Sequence, residues 1–376
     1  MDLSVYRKEF PVTDTLVYMN HAGVSPTSAR AQAAMTKWFD ECVRRGILEE
    51  EGWVDTAEAC RARFAQMIGA TAHEVCFVRN TSHGLALVAE GLSWKPGDRV
   101  AVATEIEYPS NVYVWQHLRD RGVEVDTIAA PDGAVLPEAI EDALTPNTRL
   151  VAVSSAQYST GAVTDLKSIG TLCRDRDVLF CVDGIQTVGA LETDVKEVGA
   201  HFLSADSHKW MLAMHGLGAL YVSEDVIDRI RPVLVGWKST TDAWNFDRAY
   251  FDLRNDAAKL EEGSLPWALI VGFHAALELL LEAGIPAISD HIHSLVDHLA
   301  SGLEGLGAEV YPEADLRHHI LTFTHPQADG AKLLERLSEQ NFVISRRRGR
   351  VRVSPHLYNT RDEIDQLVGA VGEFLG

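Results

Sequence analysis

Short runs of consecutive apolar residues, each followed by polar residues and then a helical pattern, recur along most of the chain. Val75 to Val78 (VCFV) leads into RNTSHG, Val100 to Ala103 (VAVA) into TEIEYPSN, and Leu150 to Val153 (LVAV) into SSAQYSTG. Val178 to Val182 (VLFCV) leads into DGIQ, and Phe202 with Leu203 into SADSHK. Continuous apolar runs separated by helices predict strands of a parallel sheet buried on both faces. Ligands bind outside the carboxyl ends of such strands, so the polar segments after these runs are expected to share one crevice. Any one of them alone would equally be an ordinary polar loop. The last part of the chain reads differently. Helical periodicity runs from Ala268 to Glu304, followed by strand-like alternation around 319–323 and 350–354. A final helix opens at Thr360, where TRDE places an acid three residues after a capping threonine. This part reads as a smaller α+β domain packed with the N-terminal stretch.

The length of 376 residues fits two domains better than one ordinary core. With 46% hydrophobic and 23% charged residues the chain has a globular and not a disordered composition. Lys plus Arg number 34 against 54 for Asp plus Glu, a formal net charge of −20. A surface that acidic repels phosphate backbones and anionic lipid, which excludes nucleic acid and membrane surfaces as expected partners. The start, MDLSVYRKEFPV, lacks an apolar core segment, so no secretory signal is expected. The apolar stretch from Trp267 to Ile285 is broken by His274, Glu278 and Glu282, which argues against a membrane span. Five cysteines show no CxxC pair and no metal-ligand spacing, so a reducing cytoplasm and no metal are expected.

Lys209 lies directly after a strand-end segment, in SADSHKW, with apolar WMLAM behind it. A lysine at the mouth of a buried sheet is a candidate for Schiff-base chemistry, because burial lowers its pKa and the neutral amine is the nucleophile. By position alone it would also be a surface lysine at a turn. Asp183 follows VLFCV, the most apolar of the runs, so its carboxylate wants a cation or a strong donor. Pyridoxal phosphate (PLP) offers one, since a carboxylate that keeps its pyridine nitrogen protonated makes the ring an electron sink. An N-cap aspartate is the competing reading. Gln186 could donate to the ring's phenolate oxygen, and VRNTSHGLAL supplies hydroxyls and backbone N–H groups at a helix start, which suits a phosphate.

Taken together these segments resemble those of class V aminotransferase-fold PLP enzymes, in the branch with cysteine desulfurases, selenocysteine lyases, isopenicillin N epimerase and kynureninase. VDGIQTVG resembles the family's VDGAQ segment and ADSHKW its lysine motif. FVRNTSHG resembles the phosphate-binding FxRGTTE segment, EIEYPSN the E-H-x-x-N segment, and RVRVSPHLYNT the R-x-S-x-x-x-Y-N-T segment. The resemblance implies an α/β chain of PLP-dependent transferase fold type I, with a mostly parallel seven-stranded sheet. The large PLP-binding domain would span 18–270, and 1–17 with 271–376 would form the small α+β domain. It further implies that Lys209 carries the cofactor and Asp183 pairs with the pyridine nitrogen, while Gln186 holds the phenolate oxygen and Tyr108 lies on the ring face. Thr81, Ser82, Asp206 and His208 would surround the phosphate, and Gln157 would face the cofactor. Arg352 would take the substrate α-carboxylate, with Asn20 and His21 lining the substrate side. Ser264, after Glu262 and Gly263, would reach the phosphate of a second copy, which makes the expected assembly a homodimer.

The activity so implied is that of a PLP-dependent enzyme acting on an amino acid through an external aldimine, with aminotransfer or β-elimination (C–S lyase) as the outcome. Epimerisation is the alternative within the same residues. Departures from the family pattern narrow this. Asn80 replaces a glycine and His83 a glutamate in the phosphate segment. Cysteine desulfurases need a mobile thiolate in the loop before Arg352, where this chain has SRRRGRVRVS and no cysteine after Cys181. Arg346, Arg347, Arg348 and Arg350 are concentrated there in an otherwise acidic chain, either as a gate for a substrate with extra negative charge or as a solvated loop. A non-catalytic PLP-binding regulator would be expected to lose the lysine or the aspartate, and a nicotinamide-linked dehydrogenase would need GxGxxG after its first strand. Neither condition holds.

Overall fold

The computed structural model describes residues 2–247 and 251–376. Its strands in the N-terminal half are β1 (Val17–Tyr18), β2 (Val75–Val78), β3 (Arg99–Val102), β4 (Glu124–Thr127), β5 (Thr148–Ser154) and β6 (Leu179–Asp183). They continue as β7 (Phe202–Asp206), β8 (Gly218–Val222), β9 (Glu309–Tyr311), β10 (Leu321–Thr324), β11 (Phe342–Val343), β12 (Ser345–Arg347) and β13 (Arg350–Val353). The α-helices are α1 (Ala29–Arg45), α2 (Glu50–Met67), α3 (Thr81–Gly91), α4 (Ser110–Gln116) and α5 (Pro137–Ala143). After them come α6 (Leu166–Asp175), α7 (Trp267–Ala283), α8 (Ile285–Gly305), α9 (Gly330–Glu339) and α10 (Arg361–Leu375).

Seven strands form the large sheet in the order β2-β8-β7-β6-β5-β3-β4, and β8 alone runs against its neighbours. The apolar runs read from the sequence are its inner strands, and alternation along them sends side chains to two separate cores. Phe77, Val151, Phe180, Val182 and Leu203 pack on one face. Cys76, Val102, Ala152, Cys181 and Phe202 pack on the other. Each face is covered by helices, which is why these strands are apolar at every position. The carboxyl ends of β2, β3, β5, β6 and β7 therefore open at one edge, as the pattern of apolar runs predicts.

The four-stranded sheet β12-β13-β10-β9 is antiparallel throughout and belongs to the C-terminal α+β part. The N-terminal segment joins it, with β1 parallel to β11 and Arg7 bonded to Glu363 (2.7 Å) and to the Tyr358 carbonyl (2.8 Å). Thr360 and Glu363 form the capping box of α10. The boundary at 270/271 falls inside α7, which packs on α1 and α2 before the chain bends by 77° into α8. Among the described residues no single helix is long and apolar enough to cross a membrane.

Where the two parts meet, the wholly buried Trp210 sits among three buried histidines. His21 donates from Nδ1 to the Ser354 carbonyl (2.9 Å) and accepts the Tyr358 hydroxyl at Nε2 (2.8 Å). His356 donates from Nε2 to the Trp210 carbonyl (3.0 Å), and His319 from Nε2 to the Gln186 carbonyl (2.6 Å). Burial holds all three neutral, pulling His21 down to about 4, His319 to about 3 and His356 well below 6.5. In the unfolded chain these rings take up protons near pH 6.5, whereas the folded rings resist to well below that. Their contribution is thus fully present above pH 6.5 and is lost as the pH falls. The urea midpoint should drop between pH 6.5 and 5, with a slope approaching about 1.4 kcal/mol per pH unit for each ring, offset in part by the buried Asp183 and Glu107 carboxyls, whose raised pKa values act in the opposite sense. A midpoint that stays constant over this window would contradict the neutral cluster.

Candidate active site

A cleft of about 440 Å³ opens at the carboxyl edge of the large sheet, and Lys209, Asp183, Tyr108, Arg352, Thr81 and Asp206 line it. They come from the ends of β6 and β7, from the turns and helix starts that follow the strands, and from the small sheet. Asp183 is the last residue of β6 and is buried, and its Oδ1 accepts one hydrogen bond, from the Ile185 N–H (3.1 Å). Burial pushes this carboxyl up to about 7, and the nearby Glu107 carboxylate adds to the shift while Lys209 opposes it. Lys209 stands in the turn after β7. The next residue, Trp210, pins that turn by donating its indole N–H to Gln186 Oε1 (3.0 Å). Burial lowers the Lys209 ammonium to about 8; Arg352 and Arg347 act in the same direction, and Asp183 and Asp206 oppose them. Among the described residues no carboxylate lies within ion-pair distance of its Nζ, and the Tyr108 ring centroid is 5.7 Å away.

The start of α3 forms one end of the cleft. Asn80 caps the helix by accepting from the His83 N–H (2.8 Å), and its carbonyl accepts the Gly84 N–H. This leaves the Thr81 and Ser82 N–H groups without a protein acceptor among the described residues, the condition for holding an anion at a helix start. Gly84 brings this first turn against β7, because a Cβ there would lie 2.2 Å from Ser204 Oγ. Thr81 Oγ1 accepts the Asp206 N–H (3.0 Å), and the Ser82 and Ser110 hydroxyls bond at 2.6 Å. His208 stacks on His215, and its Nδ1 lies 3.0 Å from Asp206 Oδ1, yet neither atom completes a hydrogen bond. Asp206 by itself repels an anion, and the imidazole beside it offers a ring N–H donor.

Arg352, on β13, is buried, and its guanidinium donates to Ser345 Oγ (3.1 Å), the Tyr158 carbonyl (2.6 Å) and Asn20 Oδ1 (3.5 Å). Burial pulls it down to about 9, and Arg347 acts in the same direction. Among the described residues it has no carboxylate partner, so a buried cation here awaits an anion from outside the chain.

Other expected residues lie elsewhere than the sequence suggested. His21 is behind the cleft, both ring nitrogens engaged, as a core histidine under Trp210. Asn20 reaches Arg352 and does not line the cleft. Gln157 is also buried behind it and gives its amide N–H to Glu107 Oε1 (3.0 Å), leaving its own oxygen without a partner. The cause is Glu107, a wholly buried carboxylate that needs donors. It accepts from the Ser154 N–H (2.7 Å) and Asn111 (3.2 Å) as well, and from the Ser154 hydroxyl. Sequence reading passed over Glu107, although it stands beside Tyr108 in the EIEYPSN segment. It also assigned no role to Tyr158 or His215, both of which line the cleft. Ser264 belongs to a second pocket of about 280 Å³, with Arg79, His83 and Glu262, and not to the Lys209 cleft of its own chain.

These residues fit PLP: a buried carboxylate with spare acceptor capacity, an unpaired lysine, and a helix start with free N–H groups and hydroxyls. Comparison with known proteins agrees. The aminotransferase class-V family model matches residues 17–367, and the chain belongs to that family of PLP-dependent enzymes. A probable cysteine desulfurase of Methanothermobacter thermautotrophicus is 32% identical, over 98% of this chain and 97% of its own. The apo cysteine desulfurase of Thermococcus onnurineus NA1 superposes with a TM-score of 0.89 at 25% identity, covering 99% of this chain and 97% of its own. The cystine C-S lyase C-DES, solved with its product cysteine persulfide, shares the fold with a TM-score of 0.91 at 23% identity, over 97% and 99% of the two chains. The architecture is thus that of PLP fold type I.

The depressed Lys209 ammonium sets how the apoprotein should take up its cofactor. Only the neutral amine attacks the aldehyde, so capture of added PLP should quicken as the pH rises through about 8 and level off above it. Absorbance-monitored reconstitution between pH 6.5 and 9.5 measures this. A rate that does not respond across that range would mean that Lys209 is not the attacking amine.

Proposed function

We propose that the chain is a PLP-dependent lyase that removes the Cα proton of an amino acid and expels a sulfur-bearing group from Cβ. The observation that carries this is the meeting of Lys209, Asp183 and the unpaired Arg352 in one cleft that no cysteine lines. When bound, PLP supplies an electron sink for the charge left at Cα. Asp183 would hold the proton on the cofactor's ring nitrogen. Gln186 has one amide N–H committed to the Ala22 carbonyl (3.1 Å), and the other is free for the phenolate oxygen. Thr81, Ser82 and His208, with Asp206 beside them, would hold the phosphate, and Tyr108 would cover one face of the ring. Arg352 would fix the α-carboxylate with its planar fork. Lys209, freed when the substrate amine takes its place, would accept the Cα proton, for which a lowered ammonium pKa suits it near neutral pH.

The persulfide route of the desulfurases is disfavoured. Cys60, Cys76, Cys173 and Cys181 are buried, and burial pushes their thiols up, Cys173 to about 12. Cys42 lies on α1. Aminotransfer would use the same residues; elimination is preferred because both the desulfurase relatives and C-DES break a carbon–sulfur bond. Five free cysteines suit a reducing cytoplasm. Ser264, set apart from its own cleft, suits a homodimer in which it serves the neighbouring phosphate.

Incubated with L-cysteine, L-cystine and S-substituted cysteines, the holoenzyme should release keto acid, ammonia and the sulfur-bearing group in equal amounts. Asp183→Asn should retain cofactor yet turn over roughly 10²–10⁴-fold more slowly. Product formation that requires an added keto acid would replace elimination with aminotransfer. Near-normal turnover of the asparagine variant would make Asp183 a structural cap.

A further inference from the structure

The arginine-rich segment before Arg352 is not a free loop. β12 and β13 form a hairpin closed by Arg348 and Gly349, both at positive φ (46° and 87°), as a two-residue turn of this kind requires. Its register places Ser345 opposite Arg352, Arg346 opposite Val351 and Arg347 opposite Arg350. Directly opposed residues share a face, so Ser345, Arg347, Arg350 and Arg352 point to one side of the hairpin and Arg346 to the other. The three remaining arginines of the segment are accounted for. Arg346 donates to the Gly349 carbonyl (3.3 Å), Arg348 donates to the Glu105 carbonyl, and Arg350 lies 3.9 Å over the Tyr311 ring.

Arg347 is different. It is half-buried and lines the cleft together with Lys209 and Arg352. Among the described residues its side chain makes one hydrogen bond, a local one from Nη1 to the Arg346 carbonyl (2.8 Å). Among the described residues no carboxylate is within ion-pair distance of Arg347 or Arg352. An amino acid's α-carboxylate would answer one of these two cations and leave the other facing the substrate unpaired.

We propose that Arg347 receives a negatively charged group on the substrate's side chain, so that amino acids with two anionic groups are preferred over those with one. Arg352 takes the α-carboxylate, and Arg347 takes a carboxylate or an oxidised-sulfur anion carried on the side chain. This rests on the reading of Arg352 as the α-carboxylate site, and it moves the selectivity expected of the hairpin from the exposed Arg346 and Arg348 to Arg347. Rigidity supports the assignment, because a residue fixed by strand register can discriminate by position where a solvated loop arginine cannot.

The test titrates the holoenzyme, followed by its cofactor absorbance, with L-aspartate against L-asparagine and with L-cysteine sulfinate against L-cysteine. The wild type should bind each acidic member roughly tenfold to a hundredfold more tightly, the range for a charge-assisted arginine pair. The preference should shrink as salt is raised. Arg347→Gln should abolish the preference by weakening the acidic amino acids far more than the neutral ones, whereas Arg352→Gln should weaken all four. No preference in the wild type would overturn the assignment. Equal weakening of acidic and neutral ligands by Arg347→Gln would also overturn it, making Arg347 a second contact to the α-carboxylate. If none of the four ligands alters the absorbance of a cofactor-loaded wild type, the amino-acid reading itself falls and takes the Arg347 assignment with it.

Discussion

A lysine and an aspartate face one buried cleft without pairing to each other, and the rest of the site is arranged around that. Burial penalises both charges. The Asp183 carboxyl rises to about 7 and the Lys209 ammonium falls to about 8, because burial penalises each charged form more than their mutual attraction supports it. Such a pair is costly in the empty chain and is relieved by a group that takes a proton at one end and forms a covalent bond at the other. Position then becomes critical. Trp210 fixes the Lys209 turn by filling the space between the two parts of the molecule, with its N–H on Gln186 and its carbonyl on His356. Losing a side chain of that size from a core costs about 3–5 kcal/mol, and here it would also release the catalytic turn.

Electrostatics runs against the composition. The chain carries a formal net charge of −20, yet its cleft gathers Lys209, Arg347 and Arg352 against Asp183 and Asp206. The acidic exterior discourages polyanions, while the focused positive field within the cleft draws small anions. Arg347 disfavours the charge on Arg352, and the small sheet that carries them is held to the N-terminal segment by backbone pairing of Asn20 with Ser354. Binding of an anionic substrate therefore answers a repulsion already built into the fold.

Much of this was legible in the sequence, for identifiable reasons. The inner strands β2, β3, β5, β6 and β7 are buried on both faces and so write themselves as apolar runs. β4, with the sequence EVDT at the sheet edge, leaves no such mark, and β8 begins at Gly218 just after the apolar WMLAM segment and merges with it. Lys209 and Asp183 stood out because each is a charge placed after an apolar run, and Arg352 because its segment, RVRVSPHLYNT, resembles a family motif. Tertiary hydrogen bonding was not legible. His21 reads as a site residue until Ser354 and Tyr358, far along the chain, occupy both its nitrogens. Gln157 reads as a cofactor contact until Glu107 claims its amide. The hairpin register that singles out Arg347 among four near-identical neighbours depends on where the turn falls, which the run RRRGR leaves open.

The central claim, that Lys209 carries the cofactor, is tested most directly by borohydride reduction of the purified holoenzyme followed by peptide mapping. The pyridoxyl group should appear on Lys209, in the peptide containing SADSHKW. Lys238 makes a stringent contrast, being a buried lysine with a lowered ammonium pKa that lies against Trp237 and Trp267. Labelling of Lys238, or of any lysine other than Lys209, would contradict the account.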